Sequence, residues 1–244
     1  MKKNRIVAVL FFLSCLSANA QSPYKLAWRA DAPILAVGVA FPIANRLFWQ
    51  PNIPALTPAQ VMALQLNSVP NFEQAIALKS SREARIGSDV LLYTSMAAPT
   101  LLLLDPAIRK DGIAVGTMYL ETLLLNSMLT NATKQLVLRP RPLAYNPNEP
   151  IADRTAQDAR FSFFSGHTSM SAASSFFAAK VYSDYHPHDP NLPLVWAAAA
   201  LLPAATATLR MEGGKHFTTD VLVGYLVGAG IGLLVPELHR IKPN

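Results

Sequence analysis

The stretch Val221–Val235, VLVGYLVGAGIGLLV, decides the fold. Fifteen residues pass without a charge, too long for a strand and lacking the period-two alternation of a half-buried one. Working outward, the same character recurs in Leu192–Leu209, nearly all Ala and Leu, and in Thr168–Ser183, rich in Ala and Ser. It recurs again in Ile113–Asn131, which contains Glu121, and in Val90–Leu104, bounded by Asp89 and Asp105. Short polar breaks separate these runs. The pattern predicts an all-α fold, a helical bundle with about five or six core helices. A perpendicular span needs about 20 apolar residues, slightly more than several of these runs supply. Their Ala/Gly/Ser-rich faces suit close helix packing in lipid, and the expectation is a membrane-embedded bundle.

Bulk composition agrees. Of 244 residues, 51% are hydrophobic and 15% charged, with mean hydropathy +0.25. The net charge of +6 is not gathered into a tail or run, which argues against nucleic acid as a partner. Cations converging on an anionic substrate or on acidic lipid fit better.

The N-terminus reads as an export signal over residues 1–20: Met1-Lys2-Lys3-Asn4-Arg5, an apolar run Ile6–Leu16, then Ser17-Ala18-Asn19-Ala20 with cleavage after Ala20. Cys15, the single cysteine, leaves with it, which excludes disulfides, thiol catalysis and a cysteine zinc site in the mature chain. Residues 21–87 form an N-terminal segment. It holds an apolar patch from Pro33 to Trp49 interrupted by Pro42 and Arg46, a linker with Pro51, Pro54 and Pro58, and a short amphipathic helix from Thr57. Ser88-Asp89 reads as the N-cap of the next element, and residues 88–244 as the helical functional domain.

Three polar islands interrupt the apolar pattern. In KQLVLRPRP, Lys134 and Arg141 are seven residues apart, which on a helix places both on one face. Pro140 and Pro142 then stop that helix at Arg141. In SFFSGHTSM, Ser165 and Gly166 open a helix whose first amides and positive dipole end suit an anion, and His167 follows within reach. In RMEGGKHFTTD, Arg210 ends an apolar helix, Gly213-Gly214 break the chain, and His216 and Asp220 stand at i,i+4. A carboxylate on Nδ1–H would leave Nε2 free as a nucleophile. Cations, two imidazoles and a helix start at the ends of apolar helices suit phosphoryl transfer, which is mostly positioning and charge stabilisation.

Lys134-x6-Arg141-Pro142, Ser165-Gly166-His167 and Arg210-x5-His216-x3-Asp220 together resemble the signature of the type 2 phosphatidic acid phosphatase superfamily, which includes class A acid phosphatases and vanadium haloperoxidases. The likeness spans Lys134 to Asp220, with helical surroundings over residues 88–238. Phe164 stands where the family usually has Pro, and Leu209 where it usually has Ser. The resemblance implies that His216 attacks phosphorus, that Asp220 orients it, and that His167 protonates the leaving oxygen and later activates water. It implies that Lys134, Arg141 and Arg210 hold the phosphate oxygens with Ser165 and the Gly166 amide. It implies no metal and no cofactor, and the sequence shows no carboxylate cluster to bind a metal. Asp153 and Asp158 read as solvated.

If Val90–Leu104 runs inward, the turn with Arg109 and Lys110 and the tail with Arg240 and Lys242 lie in the cytoplasm. All three islands then face the periplasm of a bacterial inner membrane, provided the Pro33–Trp49 patch does not cross. If it crosses, the site turns to the cytoplasm. The expected function is hydrolysis of a phosphorylated lipid, either a monophosphate or a diphosphate. The alternatives are a soluble periplasmic acid phosphatase acting on other phosphomonoesters, a vanadate-dependent haloperoxidase, and a non-catalytic binder of anionic lipid.

Overall fold

The computed structural model describes residues 22–241, so the stretch expected to be an export signal, Cys15 and Lys242 lie outside the described residues. Six long helices among the described residues form the bundle: α1 Trp28–Ala44, α2 Arg82–Ala97, α3 Gly112–Val137, α4 Gly166–Tyr185, α5 Leu192–Glu212 and α6 Thr218–His239. Among the described residues there is no strand, only an isolated bridge between Tyr24 and Arg240. The all-α expectation holds, and each apolar run of the sequence falls within one of these helices and its extension.

Helix α4 is the axis of the bundle, touching α2, α3, α5 and α6. Its small residues permit this. Ala172, Ala173, Ser169 and Ser171 are buried, and α6 meets them with Gly224, Gly228 and Gly232, one glycine every fourth residue. These three glycines face the backbone of Ser165, Ser169 and Ala173 in turn. Backbones therefore approach as closely as a small-x3-small stripe allows. The opposite side of α6 carries Leu222, Leu226, Leu234 and Leu238, each more than half exposed. That outward aliphatic row is an unburied helix face needing an apolar surround.

Among the described residues, five helical segments are long and apolar enough to cross a membrane: Trp28–Asn52, Arg82–Leu104, Gly112–Tyr145, Leu192–Glu212 and Thr218–His239. The first corrects an expectation. Pro42 and Arg46 do not end the helix: α1 runs through Pro42 and continues in a π turn, Asn45–Trp49, and a 3-10 turn, Gln50–Asn52. Pro42 withholds one amide, and a wider turn absorbs the mismatch, as helices in lipid commonly do. Asp31, near the start of α1, sits beside His239 at the end of α6. At the other end, Asn45 bonds Gln135 near the end of α3. Helix α1 thus runs the length of the bundle.

The second correction concerns α2. Ser81, not Ser88-Asp89, is its N-cap, accepting from the Ala84 amide at 3.0 Å. The expected boundary at residues 87 and 88 falls inside this helix. Past Ala97 the chain tightens into a 3-10 turn, Ala98–Leu104, around Pro99. The helix expected from Thr57 is one turn, Pro58–Met62, with a Thr57–Gln60 capping box.

Candidate active site

One end of the bundle collects the starts of α2, α4 and α6 and the ends of α3 and α5, and there the three polar islands meet. Helix α3 stops at Val137, and Leu138 takes a left-handed conformation with φ 50°. Arg139 to Arg141 then leave the helix axis, and Arg141 becomes the N-cap residue of the short helix Pro142–Tyr145. Lys134 and Arg141 therefore do not share a helix face. They reach the site from two directions, Lys134 Nζ bonding the Phe161 carbonyl at 2.8 Å.

Gly214 turns the third island back. Its φ is +64°, and a Cβ there would stand 2.3 Å from the Lys79 carbonyl oxygen. Only glycine fits such a left-handed position in contact with backbone. The turn delivers His216 into the protein interior, 1% exposed. Its Nδ1 bonds the Ser162 carbonyl at 2.8 Å, and its Nε2 lies 3.1 Å from Arg141 Nη1. A guanidinium only donates and a carbonyl only accepts, so these partners fix the tautomer: Nδ1 carries the proton and Nε2 the lone pair. Burial, then the charges of Arg141, Lys134 and Arg210, hold the His216 pKa well below its ordinary 6.5. The imidazole is accordingly neutral at neutral pH.

Asp220 does not play the part expected of it. His216 precedes α6 instead of lying on it, and Asp220 Oδ2 is 3.8 Å from Nδ1, beyond a hydrogen bond. The carboxylate instead binds the segments on both sides of the imidazole. It accepts from the Ser162 hydroxyl and, at 2.8 Å, from the Phe217 amide. Its other oxygen takes Arg139 Nη1 at 2.6 Å.

Arg139 is a site residue outside the expected spacing, although it lies within the first island. Its Nη2 pairs with Glu73 at 2.6 Å, and its guanidinium lies 4.3 Å from the Phe217 ring centroid. Glu73 also accepts from the Thr219 amide and hydroxyl, each at 2.8 Å. Glu73 and Asp220 are both fully buried. Removing one partner of a buried ion pair costs about 3–5 kcal/mol, the lower end applying here because Arg139 is part-exposed. Arg139→Ala is therefore expected to lower stability by about 3 kcal/mol, read as earlier thermal unfolding in detergent. An unchanged melting temperature would remove Arg139 from the framework of the site.

Ser165 caps α4 by accepting from the Thr168 amide, and its own amide bonds the Asp220 carbonyl at 3.0 Å. The Gly166 and His167 amides precede the first intrahelical bond. Gly166 packs so close to α3 that a Cβ would be 3.2 Å from Thr130 Cγ2. His167, the more open of the two imidazoles, bonds Asp89 at 2.8 Å through Nε2. Arg210, 6% exposed, reaches Ser88 Oγ at 3.2 Å and Asp89 at 3.5 Å. Its Nε is buried with no hydrogen-bond partner among the described residues, a donor free for an anion.

Asp158, expected in solvent, pairs with Arg141 Nη2 at 2.8 Å although its side chain stays 65% exposed. Asp153 is exposed as expected. Beside Lys134 lies a polar cavity of about 150 Å³ lined by Asn45, Gln50, Asn131, Gln135, Asp158 and Phe161. The expectation that no carboxylates cluster is overturned elsewhere: Asp31 and Glu121 meet His239 at the opposite end of the bundle.

The three polar islands thus meet at one end of the helical bundle, bringing Lys134, Arg139, Arg141 and Arg210 together with His167 and His216. The PAP2 superfamily matches residues 115–242, and the chain belongs to that family of phosphatases. It is similar in structure to a transmembrane PAP2-type phosphatidylglycerolphosphate phosphatase from Bacillus subtilis, with 21% identity, 96% of this chain and 94% of that one covered, and TM-score 0.48. No curated protein matches the chain.

Proposed function

We propose that this membrane protein hydrolyses a lipid phosphate or diphosphate through a phosphohistidine, without a catalytic metal, at a site facing the periplasm. The observation that carries the proposal is the buried His216. Its lone pair lies on Nε2 and faces Arg141, while Lys134 and the partnerless Nε of Arg210 supply further charge.

In the first step, Nε2 of His216 attacks phosphorus, forming the N–P bond as the P–O bond to the lipid breaks. His167, entering the step protonated on both nitrogens with Nε2–H held by Asp89, gives its Nδ1 proton to the departing oxygen. In the second step, water passes a proton to His167 and attacks phosphorus, breaking N–P and releasing phosphate. Lys134, Arg141 and Arg210, with Ser165 and the Gly166 amide, hold the phosphoryl oxygens and stabilise charge in both transition states. Asp220 is a positioning residue, fixing Ser162 and Phe217 on either side of the nucleophile.

A lipid substrate is favoured by an apolar cavity of about 510 Å³ between α5 and α6. It is lined by Leu201, Ala204, Met211, Thr218, Leu222 and Tyr225, and its Met211 and Thr218 end adjoins the site. The outward aliphatic faces favour the membrane over a soluble periplasmic enzyme.

The outward orientation rests on Arg109, Lys110 and Arg240 at the opposite end of the bundle. Because α1 runs the full length, an outward site leaves Ser22 in the cytoplasm. Cleavage after Ala20 and a periplasmic site therefore exclude one another, and we retain the periplasmic site. In a Cys15→Ser background, an impermeant maleimide is expected to label Asp153→Cys in intact cells and to spare Lys110→Cys. The reverse pattern would put the site in the cytoplasm. Purified protein assayed against phosphatidate, other phospholipid monophosphates and polyprenyl diphosphates should release phosphate from at least one, and release from none would defeat the lipid reading.

A further inference from the structure

At the end of the bundle opposite the active site, three ionisable side chains from three helices converge in the interior. Asp31 comes from α1, Glu121 from α3 and His239 from the last position of α6. Asp31 is 2% exposed and Glu121 1%, and the His239 side chain is 8% exposed. His239 Nε2 lies 3.2 Å from Asp31 Oδ1 and 3.4 Å from Glu121 Oε2.

The outer atoms of two of them are already occupied. His239 Nδ1 bonds the Val235 carbonyl at 2.8 Å, which places its proton there and leaves the Nε2 lone pair turned inward. Asp31 Oδ2 accepts from the Ala27 amide at 2.7 Å, leaving Oδ1 turned inward. Glu121 Oε1 is buried with no hydrogen-bond partner among the described residues. An imidazole lone pair facing two carboxylate oxygens is repulsive unless something positive stands between them.

We propose that Asp31, Glu121 and His239 bind one divalent cation of the zinc class, tying α1 to α3 and α6. Zinc takes imidazole nitrogen and carboxylate oxygen at about 2.0–2.1 Å, so neighbouring ligands of a tetrahedral ion stand about 3.4 Å apart. The two observed separations from His239 Nε2 match that edge. A 2+ ion cancels both carboxylates, and Glu121 Oε1 or a water completes the coordination. A proton on His239 in place of the ion would leave one net negative charge buried and Glu121 Oε1 still unsatisfied, a costly arrangement. The Val235 carbonyl on Nδ1 and the Ala27 amide on Asp31 are the outer contacts that orient metal ligands. An imidazole ligand selects against Mg²⁺ and Ca²⁺, which prefer oxygen. The ion cannot join the phosphatase reaction, because the helical rise from Asp220 to His239 is about 28 Å. Its role is structural, and it anchors the N-terminal helix to the helices that carry the site.

The test uses the full chain in detergent, purified without a polyhistidine tag, stripped with EDTA and dialysed metal-free. Equilibrium dialysis against Zn²⁺ with elemental analysis is expected to give one tightly held equivalent, undisplaced by excess Mg²⁺. Its return should raise the melting temperature by about 5 °C or more. Glu121→Gln and Asp31→Asn keep side-chain size and should each lose the bound zinc and the shift. If both variants fail to fold, the wild-type titration decides alone. No retained Zn²⁺ in wild type, a melting temperature indifferent to Zn²⁺, or equal retention by folded variants would overturn the site. The first two results would mean an imidazolium held between two carboxylates. Because bound metal and melting are the readouts, the result is independent of the phosphatase reading.

Discussion

His216→Ala is expected to lower phosphate release by about 10⁴-fold or more, the scale seen when a covalent nucleophile is removed. Among the described residues, no second side chain is placed to take over. His167 is the other imidazole of the site, but its Nε2 is occupied by Asp89 rather than by one of the phosphate-binding cations. The loss should fall on kcat. Lys134, Arg141 and Arg210 remain, so the variant should still bind a phosphate-containing lipid. Removing the imidazole leaves a cavity and frees the Ser162 carbonyl, so melting of the variant must be measured alongside. A folded His216→Ala protein with activity within tenfold of wild type would remove His216 from the chemistry. It would also make the non-catalytic reading of the cation cluster the better one.

The second large effect is expected far from any reacting atom, at Gly228. A Cβ at this position would stand 2.0 Å from the Ser169 carbonyl oxygen and 2.7 Å from its carbon. These are backbone atoms of the facing helix and cannot rotate away. To admit even one methyl group, α4 and α6 must separate by more than about 1 Å, and interiors at native packing density do not absorb such a shift locally. The two helices carry the two halves of the site: α4 begins at Ser165-Gly166-His167, and α6 follows directly on His216 and contains Asp220. A misplacement of about 1 Å in a catalytic constellation costs on the order of 10²-fold. Gly228→Val is expected either to prevent accumulation of folded protein or to leave about 1% of the activity. Gly230→Val is the control, because a Cβ at that exposed position meets nothing within 4 Å. Equal tolerance of both substitutions would show that the glycine stripe does not set the spacing of the site.

The helices were legible in the sequence because a long uncharged run has one economical arrangement of its backbone polar groups. The islands were legible because charge is rare in such a chain. What escaped was geometry created between helices. A spacing of seven between Lys134 and Arg141 suggests a shared helical face, and only the left-handed Leu138 shows that the chain turns first. The i,i+4 spacing of His216 and Asp220 suggests a direct bond, but the helix begins two residues after the histidine and the Ser162 carbonyl takes Nδ1. Glu73 and Asp89 carry no local signal, since their partners are 66 and 78 residues away in the chain. Arg139, the first arginine of Leu138-Arg139-Pro140-Arg141, was the one unread clue, a cation outside the spacing that nevertheless organises Asp220. Pro42 and Arg46 misled in the other direction, because a helix in lipid continues through features that end one in water.

The central claim is a covalent bond between His216 and phosphorus. The most direct measurement mixes enzyme with its lipid substrate, quenches within milliseconds at alkaline pH, where phosphoramidates survive, and maps the adduct by mass spectrometry. The account predicts a phosphoryl group on His216 that disappears on acid treatment and is absent from His216→Ala. A rapidly turning-over enzyme that never carries phosphate on His216, or carries it on another residue, would contradict the account.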